Sequence, residues 1–157
     1  MTGRSPSGLP YPLTTTASGD AASGYSGAPL AKKLGLATAQ TIALVDEPDH
    51  FRELVEPVPE DITYRTSLRG KPDIAIGFFT SKATFRRRLP AMGRAIFPDG
   101  AIWIAWPKRA SGVPTDMTED VVRKLALPTG LVDNKVCAID ETWSGLRLVH
   151  RLERRGG

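Results

Sequence analysis

The chain has 157 residues, 41% hydrophobic and 24% charged, with a formal net charge of +4, which suits one soluble globular domain. No apolar run approaches the ~20 residues of a membrane-spanning helix, and the N-terminus lacks the apolar segment of a secretory signal, so the cytoplasm is the expected location. A single cysteine, Cys137, rules out an internal disulfide, and with only His50 and His150 beside it no zinc site of standard spacing is expected.

Residues 1–24 are rich in Ser, Thr, Gly, Ala and Pro, with Arg4 and Asp20 as the only charges. Such a segment buries too little apolar surface to offset the entropy of ordering it. It reads as a disordered tail before a single domain over 25–157, with order beginning near Gly24-Tyr25-Ser26-Gly27. Pro29 to Leu34 reads as a short helix with proline in its first turn and Gly35 closing it. Thr41 to Asp46 is a nearly continuous apolar run of strand length. Pro48 then opens a helix through about Glu56, striped by Phe51, Leu54 and Val55, and Pro57 and Pro59 end it. Ile62 to Ser67 reads as a second strand and Asp73 to Phe79 as a third. Ser81 caps a helix carrying Phe85, Leu89, Met92 and Ile96, with Pro90 as a kink point. Pro98-Asp99-Gly100 is a turn, and Ala101 to Trp106 is a fourth apolar strand.

Asp116 and Glu119 have the spacing of a helix N-cap with an acid three residues on. The helix that follows carries Val121, Val122, Leu125 and Ala126, and Pro128-Thr129-Gly130 ends it. Lys135 to Asp140 reads as a fifth strand, Glu141 to Gly145 as a turn, and Leu146 to Arg151 as a final strand. Cys137 lies in an apolar run and reads as a small core residue.

Strands apolar on both faces and alternating with helices predict a parallel sheet covered on each side. The last two strands, joined by a short turn, must run antiparallel. The fold class is therefore α/β, a three-layer Rossmann-like sandwich with one reversed strand near its edge. Leu68 to Pro72 is too short for an ordinary parallel crossover, which leaves the pairing of segment 62–67 open.

Right-handed crossovers bring the loops after the strands to one edge of the sheet, where open α/β folds bind ligands. The segments expected there are Asp46-Glu47, Thr80 to Lys82, Pro107 to Asp116 and Glu141 to Gly145. Lys108, Arg109, Ser111, Gly112, Thr115, Asp116, Glu141 and Trp143 are the candidate ligand-binding residues. A helix start with unpaired N–H groups, two cations and a glycine suits a phosphate or carboxylate, with Trp143 as an aromatic wall. A purely architectural reading competes: Asp116 caps its helix and pairs with Lys108 or Arg109, and Trp143 plugs the end of the sheet.

Features of catalysis are sparse. His50 is placed inside the first long helix and His150 in the last strand, so no histidine is expected at this edge. There is no Gly-x-Ser-x-Gly elbow and no evident base for Ser144. Asp116 with Glu141 is a weak oxygen-ligand pair for a metal. The turn after the first strand, Asp46-Glu47-Pro48-Asp49-His50, has none of the glycines of a dinucleotide-binding loop, and no Walker-type Gly-Lys-Ser/Thr occurs. No cofactor is expected. Arg86 to Arg88 and Arg151, Arg154 and Arg155 read as a solvated helix face and a charged tail, so nucleic acid is not the expected partner.

Three stretches carry a resemblance. They are Gly24-Tyr-Ser-Gly-Ala-Pro-Leu-Ala-Lys-Lys-Leu-Gly35, Trp106-Pro-Lys-Arg-Ala-Ser-Gly-Val-Pro-Thr-Asp116, and Gly130-Leu-Val-Asp-Asn-Lys-Val-Cys-Ala-Ile-Asp-Glu-Thr-Trp-Ser-Gly-Leu146. From Tyr25 onward the chain resembles a bacterial family, common in actinobacteria, called domain of unknown function 3052, and this implies no assigned activity. The order of its elements, ending in a reversed hairpin, is also similar to class I S-adenosylmethionine-dependent methyltransferases, whose glycine-rich cofactor loop this chain lacks. Two functional expectations follow. One is a non-catalytic binding module for a small anion or a partner protein; the other is a degenerate methyltransferase-like enzyme with a small anionic substrate.

Overall fold

A computed structural model describes residues 29–151; the tail expected over 1–24 and the start of order at Gly24 to Gly27 lie outside them. The strands are β1 (Thr41–Val45), β2 (Thr63–Arg65), β3 (Ile74–Phe78), β4 (Ala101–Pro107), β5 (Leu131–Ala138) and β6 (Trp143–His150). They form one sheet in the order β2-β1-β3-β4-β6-β5. β1 lies parallel to β2 and β3, and β3 to β4, whereas β6 runs antiparallel to both β4 and β5. One reversed strand, a single place in from the edge, is the Rossmann-like arrangement expected.

The central strands are apolar throughout because both faces are covered. Ala43, Val45, Ala75, Ile102, Ile104, Leu146 and Leu148 pack under helices α3 (Lys82–Ile96) and α4 (Glu119–Ala126). Their neighbours Ile42, Leu44, Ile76 and Trp103 face the other way, under α1 (Leu30–Lys33) and α2 (Phe51–Leu54). The period of two along each strand sorts side chains between the two cores. Trp103 is fully buried, and its indole N–H donates to the Leu34 carbonyl at 2.9 Å. Gly145 on the neighbouring β6 makes room for it, since a Cβ there would lie 3.1 Å from the indole ring. Among the described residues no helix is long and apolar enough to cross a membrane.

Several element bounds differ from expectation. The helix expected from Pro48 is one turn, Phe51–Leu54; Pro48 lies before it, in a turn closed by Phe51 N–H donating to the Pro48 carbonyl. β5 begins at Leu131, and β6 begins at Trp143; Asp133, paired with Arg123 of α4, and the exposed Asn134 lie at the bulge of an edge strand that pairs Leu131 with His150. The segment 62–67 contributes a three-residue edge strand parallel to β1. A strand this short, ~10 Å long, needs little chain to return. Residues 66–73 cross β1 without a helix, and Leu68 packs against the α3 core on the way.

Cys137 is buried as expected. Burial pushes its thiol above the ordinary range, against a smaller opposite pull from Lys33 and Lys135. Since the thiolate is the reactive form, native protein at pH 8 is expected to react with an aromatic disulfide reagent at least tenfold more slowly than protein in denaturant. Equal rates in both conditions would contradict this placement.

Candidate functional site

β2 and β3 flank β1 on opposite sides, so strand order reverses between β1 and β3 and the loops leaving them diverge. A cavity of about 300 Å³ opens at that point. Asp46, Thr80, Ser81 and Thr84 supply its polar lining, and Phe78, Phe79 and Trp143 its apolar walls. Asp46 turns the chain sharply after β1 with φ at +55°, a conformation aspartate tolerates better than most residues. Trp143 stands edge-on to Phe78 at 5.1 Å, and Phe78 is in turn edge-on to Phe51 at 5.2 Å. The tryptophan is thus both the end of an aromatic stack and a wall of the crevice.

The segments after β4 and β5 meet beside it. Pro107 pairs in register with Trp143, and Lys108 N–H donates to the Thr142 carbonyl at 2.7 Å. Asp140 shapes the opposing turn: its Oδ1 accepts from the backbone N–H groups of Thr142 and Trp143 at 2.8 and 2.7 Å.

All eight residues expected to bind ligand lie along this edge, in unequal roles. Lys108 is half-buried and Arg109 exposed, the latter opening a single 3-10 turn, Arg109–Ser111. Among the described residues neither makes an ion pair. Ser111 is occupied within the loop, donating to the Lys108 carbonyl and accepting from Val113 N–H. Gly112 ends the turn at φ +78°, a backbone state that favours glycine. Thr115 donates to the Thr80 carbonyl at 2.6 Å, tying the loop to the crevice. Glu141 is exposed at the tip of the turn. Trp143 alone of the eight lines the cavity. Among the described residues no group of three or more His, Cys, Asp or Glu side chains is arranged to hold a metal ion.

Two expectations are corrected here. Asp116 does not cap α4 and does not pair with Lys108 or Arg109; it accepts from Lys82 N–H at 2.7 Å, at the start of α3. The cap of α4 is Thr118, whose hydroxyl accepts from Val121 N–H at 3.1 Å, and Glu119 is the first helical residue. The 3-10 turn and the Thr115 tether carry Asp116 over to the neighbouring helix. Thr118→Ala is accordingly expected to lower stability by about 1 kcal/mol. Amide exchange should then rise in α4 alone, while Asp116→Ala should raise it at the start of α3. The reverse pattern would contradict the assignment of caps.

The second correction concerns His50. Because α2 starts only at Phe51, His50 is its N-cap and sits at the carboxyl edge of the sheet. Its Nε2 lies 3.0 Å from Asp140 Oδ2. The carboxylate only accepts, so Nε2 is the donor of this bond. Its side chain is 53% exposed, so the pair is open to solvent. The signal was present in sequence, since the residues just after a parallel strand begin at that edge whatever helix follows.

No family model matches this sequence, and no curated protein matches it. Solved structures do. A SAM-dependent methyltransferase from Aquifex aeolicus is 14% identical with a TM-score of 0.54, over 74% of this chain and 85% of the other. The chain has a Rossmann-like, methyltransferase-like fold. Magnesium protoporphyrin IX methyltransferase from Synechocystis PCC 6803, determined with bound SAH, is 10% identical with a TM-score of 0.51, over 74% and 76% of the two chains. A protein of the NADB-Rossmann superfamily from Streptococcus agalactiae is 8% identical with a TM-score of 0.52, over 82% and 70%. At such identities the likeness is one of fold, which does not carry function with it.

The residues after β1 do not fit S-adenosylmethionine or a dinucleotide held in the usual way. That mode needs glycines in the loop and a helix start aimed at the ligand. Here the loop reads Asp46-Glu47-Pro48-Asp49-His50, its Asp46 faces the cavity, and the helix behind it is a single turn. About twenty residues on, where an acid would hold ribose hydroxyls, the chain has Thr66.

Proposed function

We propose that this chain is a non-catalytic α/β binding module that takes a small anionic ligand with a flat part, of the nucleoside monophosphate kind, in the crevice between β1 and β3. The flat part lies against Trp143, the hydroxyls of Thr80, Ser81 and Thr84 and the Asp46 carboxylate meet its polar edge, and Lys108 and Arg109 receive the anionic group. One observation supports this reading above the others: the aromatic wall of the cavity is paired in register with the start of a loop whose two cations have no acidic partner among the described residues. Ser111, Gly112, Thr115 and Asp116 shape that loop, and Glu141 bounds it. We also propose membership of the family called domain of unknown function 3052, which rests on the three sequence stretches and adds no activity.

Fluorescence titration with AMP tests the reading. Trp103 and Trp106 are buried, so the expected quench comes from Trp143 and disappears in Trp143→Phe. Lys108→Ala with Arg109→Ala should weaken binding at least tenfold. A flat titration would refute the anion site and leave a partner protein as the occupant of this edge.

The His50–Asp140 pair favours a second reading, an enzyme acting on a small anionic substrate. A carboxylate that fixes one imidazole nitrogen leaves the other as a proton acceptor. Calorimetry with S-adenosylmethionine separates the methyltransferase form of this reading from the binding module, and a flat thermogram retires it.

A further inference from the structure

A second cavity, of about 320 Å³, lies at the opposite edge of the sheet, where β3 begins at Ile74 and β4 at Ala101. Arg147 of β6 and Lys71, in the loop before β3, line it, and so do Asp73 and Asp99. Ile74 and Phe97 give it apolar surface. The lining thus carries charges of both signs, yet among the described residues neither acid pairs with either cation. Charges that stand too far apart to meet across a cavity remain available to a molecule placed between them.

Arg147 is the costly member of this set. It is partly buried, and burial pulls its pKa below the ordinary arginine value with no carboxylate opposing the shift. Among the described residues its side chain makes no ion pair and no hydrogen bond, and none of its nitrogens is sealed from solvent. Directly across the β5–β6 ladder stands a second cation, Lys135, and like charges in that position destabilise a strand pair. Lys135 turns to α1, where its ammonium donates to the Lys33 carbonyl at 2.8 Å. Arg147 is left with the cavity. A neutral side chain with the same stem would serve the fold better, since a desolvated charge is costly unless it is paired. Asp73 is held in place: one carboxylate oxygen accepts from Thr41 N–H at 2.8 Å, and the other has no partner among the described residues. Lys71 makes one long hydrogen bond, 3.4 Å to the Phe97 carbonyl, and an ammonium has three protons to give.

We propose that this cavity binds a small zwitterion of the amino-acid kind. Arg147, helped by Lys71, takes the carboxylate, Asp73 and Asp99 take the ammonium, and Ile74 and Phe97 meet an apolar side chain. A planar guanidinium matches a carboxylate with two parallel hydrogen bonds, which gives the unpaired Arg147 a partner of the right shape. Selection comes from the mixed lining. A simple anion would face two acids and a simple cation would face Arg147 and Lys71, so each is penalised where a molecule carrying both charges is not. The site is independent of the crevice between β1 and β3.

Calorimetry on the full chain with L-leucine tests it. 4-Methylpentanoate and 3-methylbutylamine serve as controls, the first lacking the ammonium and the second the carboxylate. The expected result is binding of L-leucine, at least tenfold weaker binding of either control, and no change in Trp143→Phe. Arg147→Met keeps the stem and removes the desolvated charge. It should weaken L-leucine binding at least tenfold while the melting temperature stays level or rises, a combination that a merely structural arginine would not give. Asp73→Asn keeps an oxygen for Thr41 N–H and should erase the preference for L-leucine over 4-methylpentanoate. No heat with L-leucine at millimolar concentration, equal affinity for either control, or affinity unchanged in both variants would overturn the proposal. So would a lower melting temperature in Arg147→Met joined to an unaltered preference in Asp73→Asn.

Discussion

Replacing Trp103 with alanine is expected to lower stability by about 3–5 kcal/mol, the range for removing a large aromatic side chain from a core. The side chain is fully buried between β4, α1 and β6, and its loss leaves the Leu34 carbonyl without its donor. Against a typical total of ~5–15 kcal/mol, this would leave a marginal fold. The fall should appear as a lower urea midpoint with little change in m. A loss under about 1 kcal/mol would mean that α1 does not close this face of the sheet.

Asp140→Ala should be the most damaging change at the carboxyl edge. One oxygen organises the turn through two backbone N–H groups and the other meets His50. Hydrogen bonds to charged groups contribute ~1.5–3 kcal/mol each and do not add simply, so a loss of about 2–3 kcal/mol is expected. The functional effect should be larger, because the same turn fixes Trp143 against Phe78; AMP affinity should fall at least tenfold. His50→Ala separates the two roles. It removes only a partly exposed pair, worth ~0–1 kcal/mol, and should leave the turn and its ligand affinity nearly intact. Equal losses in both variants would assign the turn's rigidity to the histidine instead.

The architecture was legible where burial leaves a simple record. β1, β3 and β4 are apolar on both faces because helices cover both, and that pattern alone implies a parallel sheet and a shared edge for the loops after Val45, Phe78 and Pro107. The convergence of the segments after Trp106 and Asp140 follows from the same logic, and the Lys108–Thr142 hydrogen bond bears it out. What escaped depends on the path of the chain in space. Asp116 and Thr118 both precede the α4 pattern with cap-forming side chains, and only the tether from Thr115 to Thr80 decides which of them reaches α4. His50 was hidden by a proline that resembles a helix start but precedes a one-turn helix. The first half of β5 carries too little apolar alternation to stand out, since solvent takes part of it, and for the edge strand β2, legible at 62–67, it was the pairing that stayed open. Pairing between His50 and Asp140, far apart in sequence, has no local signature.

Backbone amide chemical-shift mapping during an AMP titration tests the proposed site most directly, because it locates the ligand without assuming where it binds. Perturbations are predicted to cluster on Thr80, Ser81, Lys108, Arg109, Thr142 and Trp143. Saturable shifts confined to the opposite edge, around Phe97, Leu131 and His150, or no saturable shifts at millimolar AMP, would contradict the placement of the binding site between β1 and β3.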